Sequence, residues 1–326
     1  MQTIVAAAVD NRGMADLAEP VNRALRTTIL TVAGNRGVSR AVNRYGMRLG
    51  AGRFVAGETL DDAVPVLRRL NEQGLEANTT ILGEAVHDEA ATRAVVDAYH
   101  GVIDRLHAER LRCNVALKLT HLGVELDEEL AFANVRELVE HATSVDNFVR
   151  IDMEDSAVTD VTLRIYRRLR DAGLDRVGTV LQSYLYRSEE DLKSLLPLKP
   201  NLRIVKGAYL EPPEIAYPAK TDVDRMYERL VELSMDGGGY TAVATHDERL
   251  LEHAIGYAER QGIGRDRFEL QMLYGIRPQL QRDYAARGFK VRIATPFGSE
   301  WYPFFMRRLA ERPANLLFLA RNVVRS

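Results

Sequence analysis

A few residues in this chain of 326 residues have the types and spacings that chemistry needs. Arg307 and Arg308 stand side by side in WYPFFMRRLAERPAN (301–315). Adjacent guanidiniums after an aromatic run make either a solvated helix face or a clamp for an anion, because guanidinium gives bidentate, charge-assisted hydrogen bonds to carboxylates. Lys118 lies in the apolar run VALKLT, where a buried ammonium is costly unless paired. Strand alternation puts Lys118 on the face of Ala116 and Thr120, with Asp152 of RIDMEDS as its expected partner. This lysine reads as half of a structural ion pair, as an anion-binding group or as a Schiff-base nucleophile. His246 in ATHD has no companion ligands: the 7 His are scattered and H-E-x-x-H is absent, so no metal is expected. Gly207 in VKGAY reads as a point where backbone approaches a planar ligand closely.

These residues need a frame. Short β-rich runs occur at 77–84, 114–120, 148–153, 178–184, 202–209, 240–247, 268–273 and 290–295, most of them after a turn glycine such as Gly74, Gly173, Gly239 or Gly288. Amphipathic helical stretches separate them, with Asp, Ser or Thr near their starts and Gly at several ends. The last helical stretch is the segment carrying Arg307 and Arg308. Such alternation predicts an α/β fold, a (β/α)8 TIM-like barrel. The rival is an open doubly wound sheet, but neither G-x-G-x-x-G nor G-x-x-x-x-G-K-[ST] occurs. A barrel builds its site at the C-terminal strand ends. Those ends supply Glu84, Lys118 with Thr120, Asp152 with Glu154, Gln182 with Tyr184, Lys206 with Tyr209, Thr245-His246-Asp247, and Gln271 with Tyr274.

Residues 1–76 fall outside the repeat and read as an N-terminal helical arm packed on a barrel of residues 77–326. Within the arm Arg36, Arg40, Arg44 and Arg48 recur at every fourth position. The stripe reads as a solvated helix face or as a surface for anionic lipid head groups, giving peripheral membrane contact. A balance of 44 basic against 46 acidic residues excludes nucleic acid as the main partner. Cys113 stands alone, no apolar run approaches the ~20 residues of a membrane span, and MQTIVAAAV lacks a basic start, so a cytoplasmic protein is expected.

Six motifs then carry a family resemblance. KL, RIDMEDS, VLQSYLYR, LRIVKGAY, ATHD and FMRRLAERPAN occur in order between RFVAGETL and ERPANLL, and together they closely resemble proline dehydrogenase of the monofunctional bacterial type. The resemblance implies a distorted barrel whose last helix lies over the mouth, and non-covalent FAD. It implies oxidation of L-proline to Δ1-pyrroline-5-carboxylate, with hydride passing from C5 to flavin N5 and electrons to a quinone. Arg307, Arg308 and Lys118 would hold the substrate carboxylate, Asp152 would orient Lys118, and Glu84 would pair with Arg307 as a gate. Arg203 would lie near N5. Met153, Gln182, Val205, Lys206, Gly207, Ala208, Thr245 and His246 match flavin-contacting positions, while Tyr209 and Leu273 would wall the substrate. Two positions depart from many relatives, which carry tyrosine at Ala294 and at Phe304. The loss at Ala294 is expected to loosen discrimination against hydroxyproline. LEPPEIAYPAK (210–220), after Tyr209, is expected to cover part of the site. No attached domain is long enough to oxidise the product further, so coupling to a separate pyrroline-5-carboxylate dehydrogenase is expected. Rival functions are a Schiff-base aldolase or lyase using Lys118 or Lys206, and a non-catalytic flavin or amino-acid sensor.

Overall fold

All the expected β runs form strands, and each pairs in parallel with the next until the last closes on the first. The computed structural model describes residues 51–302 apart from Glu84 and Ala85, together with Met306. The expectations for Arg36, Arg40, Arg44 and Arg48, for Glu84, Phe304, Arg307 and Arg308, and for a helix over the mouth lie outside the described residues. The strands are β1 (Glu76–Thr79), β2 (Cys113–Leu117), β3 (Val149–Ile151), β4 (Val177–Gln182), β5 (Asn201–Val205), β6 (Tyr240–Ala244), β7 (Phe268–Leu273) and β8 (Val291–Ala294), closed in the order β1 to β8. Arg53–Ser299, which contains them, is one compact unit.

Helix α1 (Leu60–Glu72) precedes the barrel, and its start is fixed by a reciprocal capping box between Thr59 and Asp62. The helices that follow β1 to β7 are α2 (Glu89–Ala108), α3 (Glu128–Ser144), α4 (Thr159–Asp171), α5 (Ser188–Leu195), α6 (Lys220–Asp236), α7 (Glu248–Gln261) and α8 (Pro278–Ala286). Side chains of Asp88, Asp127 and Asp247 accept backbone N–H groups at the starts of α2, α3 and α7, satisfying donors that a helix start leaves open.

Alternation sorts each strand into two faces. Leu117, Ile151, Leu181, Ile204, Val243, Met272 and Ile293 are buried in the apolar layer under the helices. The inward face is charged instead of aliphatic. Arg203 meets Asp152, and Arg292 meets Glu269 and Glu76, inside the barrel, with Arg150, Asn78 and Gln271 beside them. Arg292 donates through Nε to Glu269 Oε1 at 2.9 Å and through Nη1 to the Ala77 carbonyl at 2.8 Å, and it also pairs with Glu76. Burial alone would raise the Glu269 carboxyl; Arg292 outweighs it and, with Gln271 and Arg150, holds that group below the usual carboxylate range.

Arg150 is buried without a carboxylate on its guanidinium. It donates to the carbonyls of Thr179 and Asn201 at 2.9 and 2.7 Å, and to Asn201 Oδ1. Burial and the neighbouring Arg203 charge push its pKa down to about 9. Gly178 makes room for it: a Cβ there would stand 2.5 Å from both Arg150 Nη1 and the Asn201 carbonyl.

Candidate active site

The strand ends leave a ring of half-buried inward residues above the charged layer: Lys118, Asp152, Val205, Ala244, Leu273 and Ala294. In a tightly filled barrel these would be buried, so their exposure marks an open mouth. Strand β7 ends at Leu273 as the sequence suggested, and the other seven stop one to five residues short of their expected ends.

Arg203 is the pivot. Its Nε donates to Gln271 Oε1 at 2.7 Å, Nη1 to Asp152 Oδ1 at 2.6 Å and Nη2 to Asn78 Oδ1 at 3.0 Å. One side chain from β5 is thereby fixed by residues of β7, β3 and β1. Gln271 in turn donates to Glu269 Oε1 at 2.5 Å, linking Arg203 to the Glu269–Arg292 pair. The expectation that Asp152 orients Lys118 needs correction, since the ion pair of Asp152 is to Arg203. A guanidinium fork engages three acceptors at once in fixed geometry, whereas an ammonium at the rim keeps part of its hydration.

Lys118 is left half-buried, with no hydrogen bond or ion pair to any described residue. Its charge bears on two neighbours. Burial raises the Glu154 carboxyl despite bonds from Thr120 N at 3.1 Å and Thr120 Oγ1 at 2.6 Å, with Lys118 opposing. His121 is pushed down to about 4, first by burial and then by Lys118, and its buried Nδ1 has no partner among the described residues. An ammonium without a partner among the described residues, at the end of a barrel strand, is a ready anion site.

The residues matched to a cofactor end or follow β3 to β6 at the same end. Gln182 Nε2 donates to the Glu154 carbonyl at 3.1 Å, while its buried Oε1 has no partner among the described residues. Met153 and Thr245 are buried, Val205, Ala208, Tyr209 and His246 half-buried. Lys206 Nζ is held by Asp224 Oδ1 at 2.5 Å and Asp247 Oδ2 at 3.5 Å. Gly207 has φ +117°, and a Cβ there would lie 2.3 Å from the Tyr184 ring. The planar group packed against this glycine is therefore Tyr184. His246 Nε2 accepts the Leu273 N–H at 2.8 Å, which puts the imidazole proton on Nδ1. The segment 210–219 is pinned: Glu211 accepts from Ser156 N at 2.7 Å and Ser156 Oγ at 2.8 Å, and Ala216 bridges Leu185.

A family model described as proline dehydrogenase matches residues 63–321. The chain belongs to the proline dehydrogenase family. It is 40% identical over 301 residues to Proline dehydrogenase 1 of Bacillus subtilis subsp. natto, covering 92% of this chain and 99% of that one. It is 41% identical over 309 residues to a proline dehydrogenase of Deinococcus radiodurans, covering 94% and 99%. Among solved structures, proline utilization A from Bdellovibrio bacteriovorus, inactivated by N-propargylglycine, superposes with a TM-score of 0.78 at 25% identity. That match covers 90% of this chain and 37% of the other. The chain is thus an oxidoreductase of the proline dehydrogenase family on a closed barrel. No helix among the described residues is long and apolar enough to cross a membrane.

Sequence reasoning named Lys118, Asp152, Gln182, Arg203, Thr245, His246, Leu273 and Ala294, and the structure gathers them at one end of the barrel. It missed the roles of Asn78, Glu269 and Arg292 beneath them, and of Asp224 and Gln281 behind them. Charges at inward parity inside β7 and β8 were the available signal for Glu269 and Arg292, and an amide at inward parity inside β1 for Asn78. Asp224 and Gln281 act from helices, where single polar residues on an inner face look like ordinary amphipathic pattern.

Proposed function

We propose that the barrel mouth binds FAD and L-proline and oxidises proline to Δ1-pyrroline-5-carboxylate, with a quinone as the final electron acceptor. FAD, when bound, supplies the acceptor for the hydride that leaves proline C5. The residues present fit such a group. Gln182 offers a buried acceptor without a donor, as a flavin ring N–H would need, and Met153, Val205, Gly207, Ala208, Thr245 and His246 surround the same strand ends.

The observation that carries the reading is Lys118, a half-buried ammonium without a protein partner among the described residues, beside the fully engaged Arg203. Lys118 takes the substrate carboxylate, a charge-assisted contact worth about 1.5–3 kcal/mol. In this proposal Arg307 and Arg308 also serve the substrate carboxylate. Leu273, Ala294 and Tyr209 wall the apolar ring. Holding the carboxylate at one end and the ring against a wall fixes where C5 lies, and orientation of this kind supplies much of a rate enhancement. Arg203, immobilised by Asp152, Gln271 and Asn78, presents a fixed positive field at the base of the mouth. Proline loses a hydride from C5 and a proton from nitrogen, so the amine must be neutral, and flavin reduction should rise with pH. The imine product passes to a separate pyrroline-5-carboxylate dehydrogenase in this reading, and the arginine stripe of residues 36–48 meets the membrane that holds the quinone.

The test is the visible spectrum of the purified protein before and after anaerobic L-proline. Loss of the oxidised-flavin bands is expected, with Lys118→Met raising the proline concentration needed at least tenfold. A colourless protein, or a flavin spectrum indifferent to proline, would refute the proposal. The Bdellovibrio relative is inactivated by N-propargylglycine. Inactivation here, prevented by excess proline, is expected on the same reading.

A further inference from the structure

Leu273 ends β7, and neither of its backbone polar groups is satisfied by an ordinary ladder bond. Strand β6 pairs with β7 only as far as Ala244 opposite Gln271, and one more bond runs from Thr245 N to the Gln271 carbonyl at 3.1 Å. Beyond it the chain leaves the sheet, so the Leu273 N–H meets the His246 imidazole at 2.8 Å instead. On the other side Gln281, buried on α8, donates through Nε2 to the carbonyls of Leu273 at 3.0 Å and Ile276 at 2.9 Å. Arg277 closes the ring of contacts. It donates through Nη1 to the His246 carbonyl at 2.8 Å and through Nη2 to Glu248 Oε2 at 2.8 Å. The turn between them is tight, with Gly275 at φ +76° and Arg277 at φ +51°.

We infer that Gln281 is a specificity-positioning residue: from behind the substrate wall it fixes the Leu273 peptide, and thereby the depth of the pocket that Leu273 bounds. The inference rests on the reading that Leu273 walls the substrate ring. Gln281 lies on the far side of that peptide, in the layer between α8 and β7, and acts through Leu273 without touching substrate. Its two donated bonds share one nitrogen, so a single substitution removes both and leaves the Leu273 carbonyl to the long Ile276 N–H bond at 3.3 Å. A hydrophobic pocket discriminates a ring methylene by about 10- to 200-fold when its wall is rigid, and a wall free to shift loses part of that factor.

The experiment uses the holoenzyme and two saturated oxygen-ring carboxylates, five- and six-membered, that cannot be oxidised at nitrogen. Their dissociation constants are measured by calorimetry, beside proline kinetics per bound flavin. For Gln281→Met, which keeps volume but loses both donated bonds, the preference for the five-membered ring should fall about fivefold or more, with proline KM raised and kcat within about twofold. Gln279→Met, exposed on the same helix, should leave the preference unchanged. Arg277→Met, which releases His246 at the surface, should shift the preference in the same direction and serves if Gln281→Met does not accumulate. A preference within twofold of wild type in Gln281→Met, or in Arg277→Met when only that variant is obtained, overturns the inference. A wild-type flavin that proline does not reduce overturns the underlying function instead.

Discussion

Replacing Asp152 by Asn tests the central contact of the site without changing its shape. The Asp152–Arg203 pair is 2.6 Å long, and its side chains are 22% and 10% exposed, so solvent screens it little. Asn keeps an oxygen that accepts from Arg203 Nη1 and removes only the charge. A charge-assisted bond contributes about 1.5–3 kcal/mol and a neutral one about 0.5–1.5, so the fold should lose roughly 1–1.5 kcal/mol. For a barrel unit of this size that is a fall of about 2–6 °C in Tm. Activity should fall further. Arg203 keeps Gln271 and Asn78 but loses its carboxylate partner Asp152, and small displacements of an orienting group cost up to about a hundredfold in rate. The expected kcat loss is about 10- to 100-fold, read by stopped-flow flavin reduction normalised to bound flavin, beside a thermal melt. A variant that melts several degrees lower yet reduces its flavin within twofold of wild type would show that Arg203 is held there for stability alone.

Other perturbations probe different parts of the molecule. Gly178→Ala places a methyl 2.5 Å from Arg150 Nη1 and from the Asn201 carbonyl, and should cost about 2–4 kcal/mol through overpacking and lost bonds, measured by urea unfolding. His121 has a folded pKa of about 4 against an ordinary 6.5. Between those values the unfolded chain binds a proton that the folded chain does not, so stability is full above pH 6.5 and falls towards pH 4, by up to about 3 kcal/mol. His121→Gln should flatten that part of the stability–pH curve, and an unchanged slope would count against it. Ala294→Tyr should sharpen selectivity for proline over hydroxyproline; identical ratios of kcat/KM before and after would reject the role given to this position.

Much of the fold was readable because its signal is repeated and local. The runs that became β1 to β8 alternate with helices whose first residues, such as Asp88 and Asp127, announce their caps. The inward and outward faces were readable too, since Lys118 shares parity with Ala116. What the sequence did not show was pairing across the barrel. Arg203 and Asp152 are 51 positions apart and Arg292 and Glu76 are 216 apart, so nothing local says which acid meets which base. Lys118 was therefore given the partner nearest at hand, and the structure gives that partner to the longer side chain opposite. The Tyr184 ring against Gly207 was hidden for a similar reason, since it comes from the preceding loop, more than twenty positions earlier in the chain.

The way the interior charges are neutralised has a consequence for how the chain could be cut. Asp152 and Asn78 lie in the first four strands and Arg203 in the last four; Glu76 lies in the first half and Arg292 in the second; Arg150 of the first half relies on Asn201 of the second. Either half alone would carry ions with no counterpart. Separately expressed fragments 53–199 and 200–299 should thus stay unfolded or aggregate apart and gain structure only when mixed, whereas rejoining the ends and opening the chain at a surface loop should leave the barrel intact.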